Sequence, residues 1–483
     1  MPASPRRSCA DVATYGAVDL GATSGRVVRV TVDGDGLELD LVRRFPNVVG
    51  ADHTWDIEAL IGDVRRGLVD AAARGPLRSL AVDSWGVDFG LLDATGRRLG
   101  AVHSYRSPRI AGVMEAAVES VGRARLYALT GIQFLHFNTA FQLVAARDTD
   151  EYRAATTLLM VPDLVNAALC GSRTNDVTNA STTQLLDVAT RLWSDEVVAA
   201  LGLRRDLLPE LHEPGTVLGS VRGVDARVDG RAVVATASHD TASAVAGVPL
   251  RADHPAVYIS CGTWSLVGCE VSTAVTTDAA LAANVTNELG VDGTVRVLKN
   301  VTGLWLLEEC RRAWTATDAA ELVAAAEDVP GGRCVVDPDD PRLAGPGAMP
   351  ERIAAVCRAT GQPVPESPPE FTRLILDSLA LAWRRTVATI ERVAGFEADV
   401  VHLVGGGAAI PLLRRLAASA CGRPLLAGPV EATVVGNALV QAIADGSVPD
   451  LAHGRVLVER SLDVVRIEPA ATLDWPALAT RLP

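Results

Sequence analysis

Ala17-Val18-Asp19-Leu20-Gly21-Ala22-Thr23-Ser24-Gly25-Arg26-Val27-Val28-Arg29-Val30 reads as an apolar strand, a turn of Gly, Thr and Ser, and a second, alternating strand. The pattern returns about half a chain later in Val257-Tyr258-Ile259-Ser260-Cys261-Gly262-Thr263-Trp264-Ser265-Leu266-Val267-Gly268, again strand, Gly-Thr-x-Ser turn, strand. Two like hairpins opening two like halves predict a duplicated α/β protein whose turns face each other across a cleft. Exposed turn amides and hydroxyls suit an anion, so one nucleotide would sit between them. Asp19, ending the first strand, is placed either to hold a hydrated Mg²⁺, which meets only one or two carboxylates, or to serve as an ordinary turn residue. Neither G-x-x-x-x-G-K-[ST] nor G-x-G-x-x-G stands at this position.

At the middle of the chain, Arg231 to Thr236 reads as a buried strand and Ala242 to Gly247 as a helix start, with Ala237-Ser238-His239-Asp240-Thr241 between them. Asp240 is thereby placed at the carboxyl edge of a sheet, where α/β proteins bind ligands and a general base finds a fixed position. The plainer reading is a helix cap. Leu80 to Asp93 forms a third strand-turn-strand, in which Trp85 beside Gly86 suits sugar stacking or simple core packing. The polar clusters Asn138 to Gln142 and Thr178 to Gln184 either line a polyol pocket or cap helices. Towards the C-terminus a long helix spans Pro369 to Val393. Asp399 to Val404 is a buried strand, Gly405-Gly406-Gly407 a turn, and Pro411 opens a helix closed by Gly422. Glu431 to Ala438 starts a further helix in which Gly436 admits a close neighbour.

A length of 483 residues exceeds one ordinary core and predicts two or three domains. The net charge of -13 excludes nucleic acid and an anionic membrane surface as partners, because the necessary excess of Lys and Arg is missing. Eight cysteines with no C-x-x-C pair read as reduced, mostly buried thiols. Residues 1–16 lack an apolar segment and are expected to be a flexible leader rather than a signal peptide. No run approaches the roughly 18 apolar residues of a membrane span, so a cytoplasmic protein is expected.

Together the pieces resemble the FGGY carbohydrate kinases, of the actin/hexokinase/Hsp70-like ATPase superfamily. The resemblance runs from Ala17 to Gly446 and is carried by A-V-D-L-G-A-T-S-G-R (17–26), D-S-W-G-V-D-F (83–89), G-I-Q-F-L-x-F-N-T (131–139), S-H-D-T-A-S-A-V (238–245), C-G-T-W-S-L (261–266), L-K-N-V-T-G-L-W-L-L (298–307) and A-G-P-V-E-A-T (427–433). It implies two duplicated actin-like (ribonuclease H-like) domains with an interdomain cleft: 17–247 for sugar and catalytic base, 248–450 for nucleotide, then an extension at 451–483. It also implies phosphorylation of L-rhamnulose at its 1-hydroxyl by ATP with Mg²⁺, in L-rhamnose catabolism, by a monomer or homodimer. Asp240 would be the base, and Gly86, His239, Thr241 and Asn300 would touch the sugar. Ala22, Thr23, Ser24, Gly25, Arg26, Thr263, Glu308, Gly405, Gly406 and Gly407 would meet the nucleotide, and Asp19 the metal. Three positions depart from the family pattern: Glu308 stands for a Gln, Ala408 to Pro411 follow the glycines in place of Gln-Asn, and Ser107 replaces an Asp. The alternatives are a kinase of L-fuculose-type or L-ribulose-type ketoses, or a non-catalytic ATP-dependent binding protein of the superfamily.

Overall fold

The computed structural model describes residues 12–34, 36–314 and 318–482. It divides into two compact units, each assembled from three stretches of chain. The first comprises residues up to Pro249 with Glu270–Val297 and Ala432–Leu462; the second comprises Leu250–Cys269, Leu298–Glu431 and Asp463–Pro483. The expected division at residue 247 is therefore only the first of several crossings. The expected C-terminal extension is shared: its helix Leu451–Ser461 lies in the first unit, and the residues from Asp463 lie in the second.

In the first unit, strands β1 (Ala13–Leu20), β2 (Ser24–Asp33), β3 (Gly36–Pro46), β4 (Ser79–Ser84), β5 (Val217–Ser220) and β6 (Ala232–Val234) make one sheet in the order β5-β6-β4-β1-β2-β3. The β1–β2 pair is the expected antiparallel hairpin, with β4 parallel to β1 on the other side. β1 starts at Ala13, four residues inside the expected leader, because Thr14 and Tyr15 already pair with Thr31 and Val30. The rest of that leader call, residues 1–11, lies outside the described residues.

Helix Ala432–Ala444 covers this sheet with Val434, Val435, Ala438, Leu439 and Ala442, packed on Tyr15, Ala17, Val28 and Val30. Its polar residues face the same way and are all satisfied. Gln441 donates to the Gly16 carbonyl (3.3 Å) and accepts from Ser79 Oγ (2.7 Å), while Tyr15 donates to Asp445 (3.0 Å). Gly436 does admit a close neighbour: a Cβ there would run into the Ser243 carbonyl oxygen of helix Asp240–Ala246.

In the second unit, β7 (Ala256–Cys261), β8 (Trp264–Val271) as far as Cys269, β9 (Val295–Thr302) from Leu298 on, β10 (Val400–Val404), β11 (Leu425–Ala427) and β12 (Val465–Ile467) follow the order β9-β8-β7-β10-β11-β12. Here too an antiparallel hairpin, β7–β8, is flanked by a parallel strand, β10. The predicted duplication is thus visible in the pairing pattern. The long helix runs Pro368–Ala394, and the one after the glycines runs from Pro411 to Cys421, ended by Gly422 in the left-handed region.

Leu80 to Asp93 is not a hairpin. β4 belongs to the six-stranded sheet, whereas Phe89–Leu92 joins a separate three-stranded sheet. The chain changes direction at Val87, whose φ of 67° is unusual for a β-branched residue. Seven cysteines are described and none of them forms a disulfide, six being buried; the eighth, Cys9, lies outside the described residues. Among the described residues no helix is long and apolar enough to cross a membrane.

Candidate functional site

Three strand ends converge at one edge of the first sheet. Asp19 in β1 stands opposite Asp83 in β4. Ser84 bridges to His239 in parallel fashion, and its N–H donates to the Ser238 carbonyl (2.9 Å). Trp85 N–H donates to the Leu20 carbonyl (3.2 Å). Asp19, Gly86, His239, Asp240 and Thr241 are brought together by this closure.

Asp240 is the first residue of helix Asp240–Ala246, and the cap position belongs to His239, which makes no side-chain capping bond. The cap reading therefore fails for Asp240. Its carboxylate accepts from Thr241 Oγ1 (3.1 Å) and lies 3.5 Å from His239 Nε2. Desolvation, reinforced by Asp19, raises its pKa against the pull of His239. A carboxylate with a raised pKa is a better proton acceptor near neutrality than an ordinary one. Gly86 is half-buried and closely approached: a Cβ there would stand 3.1 Å from Thr182 Oγ1 and 3.4 Å from His239 Nε2.

Sequence reasoning missed what holds this segment. Asp176 Oδ1 accepts from the N–H groups of Ser238 (3.0 Å) and Thr178 (3.0 Å) and from the hydroxyls of Ser238 and Thr178. Thr178 Oγ1 in turn accepts from His239 N–H (3.2 Å). Buried Asp163 and Asp176 flank His212 and raise its pKa although burial alone would lower it. Within the polar cluster 178–184, Thr178 and Asn179 thus clamp the Ser238–His239 segment that leads into the proposed base.

Asp88 plays the matching part for the Gly86 loop. Its carboxylate accepts from Trp55 Nε1 (2.7 Å), Trp85 Nε1 (3.0 Å), Gln142 Nε2 (3.1 Å) and Tyr105 N–H (3.2 Å). Trp85 is buried with its ring 4.4 Å from that of Trp55, so it braces the loop and does not stack on a ligand. Thr139 and Gln142 donate to the Val87 carbonyl (2.7 and 3.2 Å). Burial pushes the Asp88 pKa up to about 6 despite these donors. Because the folded value exceeds the unfolded one, this group's contribution to stability is full below about pH 4 and is lost as pH rises through 6. Asp88→Asn is expected to remove that loss. Thermal unfolding of both proteins between pH 4.5 and 7 checks it, and equal slopes would refute the assignment.

At the hairpin turn, Gly21 N–H donates to the Ser24 carbonyl (3.0 Å), and Asn47 ties both ends through Gly21 and Thr23. Ala22, Thr23 and Ser24 remain at the surface of the unit, but Gly25 is buried with its α-carbon against the Phe45 ring. Arg26 is ion-paired with Asp19 (2.6 Å). Beside them, fully buried Asp83 accepts from Asn437 Nδ2 (2.6 Å) through one oxygen and leaves Oδ1 without a partner. Desolvation, then the charges of Asp19 and Asp240, push its pKa well above the carboxylate range. The orphaned Asp83 oxygen lies beside the Asp19 and Asp240 charges, but among the described residues no group of three His, Cys, Asp or Glu is arranged to hold a metal ion directly.

The remaining predicted residues belong to the second unit. Cys261 ends β7 and Val404 ends β10; Ser260 pairs in parallel with Val404, so Thr263 and Gly405–Gly407 leave the same sheet edge. Gly405 has φ 78°, and a Cβ there would stand 2.8 Å from the Cys261 carbonyl oxygen; one on Gly407 would stand 2.6 Å from Cys261 Sγ. Packing requires those two glycines, while Gly406 is exposed. Gly303 N–H donates to the Thr263 carbonyl (3.0 Å), locking that turn to the start of helix Trp305–Ala313. On this helix Glu308 pairs with Arg311 (2.9 Å). Asn300 lies in β9, two residues before Thr302, which Asp339 holds by its N–H (2.7 Å) and hydroxyl.

Both halves of the FGGY family of carbohydrate kinases match this chain, the N-terminal domain over residues 14–247 and the C-terminal domain over 257–444. The chain belongs to the FGGY family of carbohydrate kinases, enzymes that use ATP. It is 42% identical over 467 residues to a rhamnulokinase of Pectobacterium carotovorum, covering 95% of this chain and 94% of that one. A rhamnulokinase of Bacteroides thetaiotaomicron is 39% identical over 470 residues, covering 95% and 97%. The fold is that of the xylulose kinase from Rhodospirillum rubrum (TM-score 0.75, 21% identity, 97% of each chain). It is also that of Plasmodium falciparum glycerol kinase with ADP (TM-score 0.75, 14% identity, 97% of this chain and 96% of that one).

Proposed function

We propose that this kinase phosphorylates L-rhamnulose at its 1-hydroxyl, with Asp240 as the general base. The observation that carries the reading is the Asp240 carboxylate, desolvated and next to His239, whose ring also lies against Gly86. Asp240 takes the hydroxyl proton as the sugar oxygen bonds to the γ-phosphorus and the bond to the β,γ-bridging oxygen breaks, releasing ADP. Phosphoryl transfer through a loose transition state asks the protein mainly for positioning and charge compensation. His239, Thr241, Gly86 and Asn300 are the sugar residues in this reading. Ala22 to Arg26, Thr263, Glu308 and Gly405 to Gly407 are those for ATP. Identity near 40% to two rhamnulokinases supports the choice of sugar. A cytoplasmic monomer or homodimer completes the proposal.

Asp19 would hold Mg²⁺ through its waters, and the ion would supply neutralisation of phosphate charge. Asp19→Asn is expected to raise the Mg²⁺ concentration for half-maximal rate by at least about tenfold, the usual cost of disturbing a ligand's surroundings. An unchanged Mg²⁺ dependence would remove Asp19 from that role.

The deciding experiment is ADP release with ATP and Mg²⁺, without sugar and with L-rhamnulose, L-fuculose's ketose or L-ribulose. Stimulation by L-rhamnulose above the others is the expected result. Preference for another ketose would move the substrate, and no stimulation by any sugar would overturn the reading.

A further inference from the structure

Beside the proposed base lies a buried charge pair that no sequence motif announced. Arg296 is 0% exposed and Glu288 4%, on neighbouring strands, Val295–Thr302 and Thr286–Leu289. Arg296 NH2 lies 3.1 Å from Glu288 Oε2, and that oxygen lies 3.2 Å from His239 Nδ1. Arg296 also donates to the Leu289 carbonyl through Nε (3.3 Å) and NH2 (3.2 Å), which fixes the guanidinium. A buried ion pair of this kind is a poor stabiliser, since desolvation offsets its attraction. Its geometry serves the ring next to it.

Arg296 NH2 is also 3.2 Å from His239 Nδ1. A guanidinium can only donate, so this contact makes Nδ1 the acceptor, while Glu288 Oε2 makes no hydrogen bond and serves as the counter-charge of the guanidinium. Burial alone would raise the Glu288 pKa, but Arg296 and His239 outweigh it and hold the group ionised, below the usual carboxylate range. The opposite ring nitrogen, Nε2, faces Asp240 Oδ1 (3.5 Å) and the Gly86 position.

We propose that Arg296, held by Glu288 and the Leu289 carbonyl, donates to Nδ1 of His239 and so fixes both the ring's orientation and its tautomer, leaving the Nε2 proton to be donated to a sugar hydroxyl oxygen. Glu288 and Arg296 are positioning residues that set sugar recognition from behind His239. That consequence for the sugar rests on the kinase reading above; the tautomer does not.

Removing one charge of a buried pair strands the other, so the test uses Glu288→Gln with Arg296→Met together. The double variant is expected to fold and to raise the KM for L-rhamnulose at least about tenfold, as loss of a charge-assisted hydrogen bond should, with the KM for ATP within about twofold. In a His239→Asn background the same double change is expected to add little, because it acts through that ring. Full additivity, or an unchanged sugar KM, would overturn the proposal.

A second measurement does not depend on activity. In long-range ¹H–¹⁵N spectra of the parent protein at pH about 8, where an ordinary imidazole is neutral, His239 is identified by its loss in His239→Asn. It should show a bare Nδ1 and a protonated Nε2. Any other protonation pattern overturns the proposal, even if the double variant does not fold. Should the parent phosphorylate no ketose, the kinase reading fails while the spectrum still decides the tautomer.

Discussion

Asp240→Asn will leave ATP binding near that of the parent and cut sugar-dependent turnover by at least about a hundredfold, the loss expected when a general base is removed. Asn has the shape of Asp and can still accept from Thr241 Oγ1, so the helix and the His239 contact survive. It cannot take a proton. Stability is not expected to suffer, since the native carboxylate carries a raised pKa and its ionised form is penalised by burial. The same shift gives the pH dependence its sign: as pH falls, the base is protonated sooner than an ordinary Asp, and kcat/KM declines with it. Single-turnover measurement of phosphate transfer, beside ATP affinity by titration, checks both halves. Full activity in the variant would end the assignment of the base.

Gly436→Ala will have the largest effect on stability. The added methyl would be driven into the Ser243 carbonyl oxygen, and the next nearest atom, Gly247 N, is 2.8 Å away. These are backbone atoms of the helix carrying Asp240, so no side chain can turn aside. Gly247 is reciprocal, its own Cβ position blocked by the Ala432 carbonyl. Overpacking a core costs about 1–3 kcal/mol where side chains can adjust, and a rigid backbone contact lies at or beyond the upper end. Soluble yield and thermal unfolding should both fall sharply, and Asp240 would shift with its helix, so residual protein should also be slow. Gly34→Ala, at a position with no neighbouring atoms, is the control and should stay within about 0.5 kcal/mol of the parent. Equal behaviour of the two variants would refute the packing argument.

Local chemistry made part of this molecule legible before folding was considered. The two hairpins, the strand-helix junction at Asp240 and the intolerance of Gly436 are written in short stretches, where alternation, turn residues and small side chains carry the information. Leu80 to Asp93 is the strand-turn-strand expected, but that its two strands join different sheets was not legible, because nothing in a β-branched residue signals the left-handed Val87 at the bend. Asp88 was visible within its motif, but its four donors come from positions 55, 85, 105 and 142. Glu288 and Arg296 sit in an unremarked strand pair, about fifty residues beyond His239. Only the tertiary fold gives those side chains a common purpose.

The composition of the first unit from three separate stretches also bears on how the protein is made. A ribosome delivers residues up to Pro249 long before Ala432, and at roughly 5–20 residues per second the interval is about ten to forty seconds. Throughout that time the nascent sheet lacks the helix Ala432–Ala444 that covers Tyr15, Ala17, Val28 and Val30, and Asp83 lacks Asn437. Premature termination or clipping anywhere before residue 432 therefore leaves an apolar sheet face bare for good, and such fragments become clients for holding chaperones or proteases. The helix Ala432–Ala444 thus acts as a seal on quality: the first unit closes only after this late segment has been made.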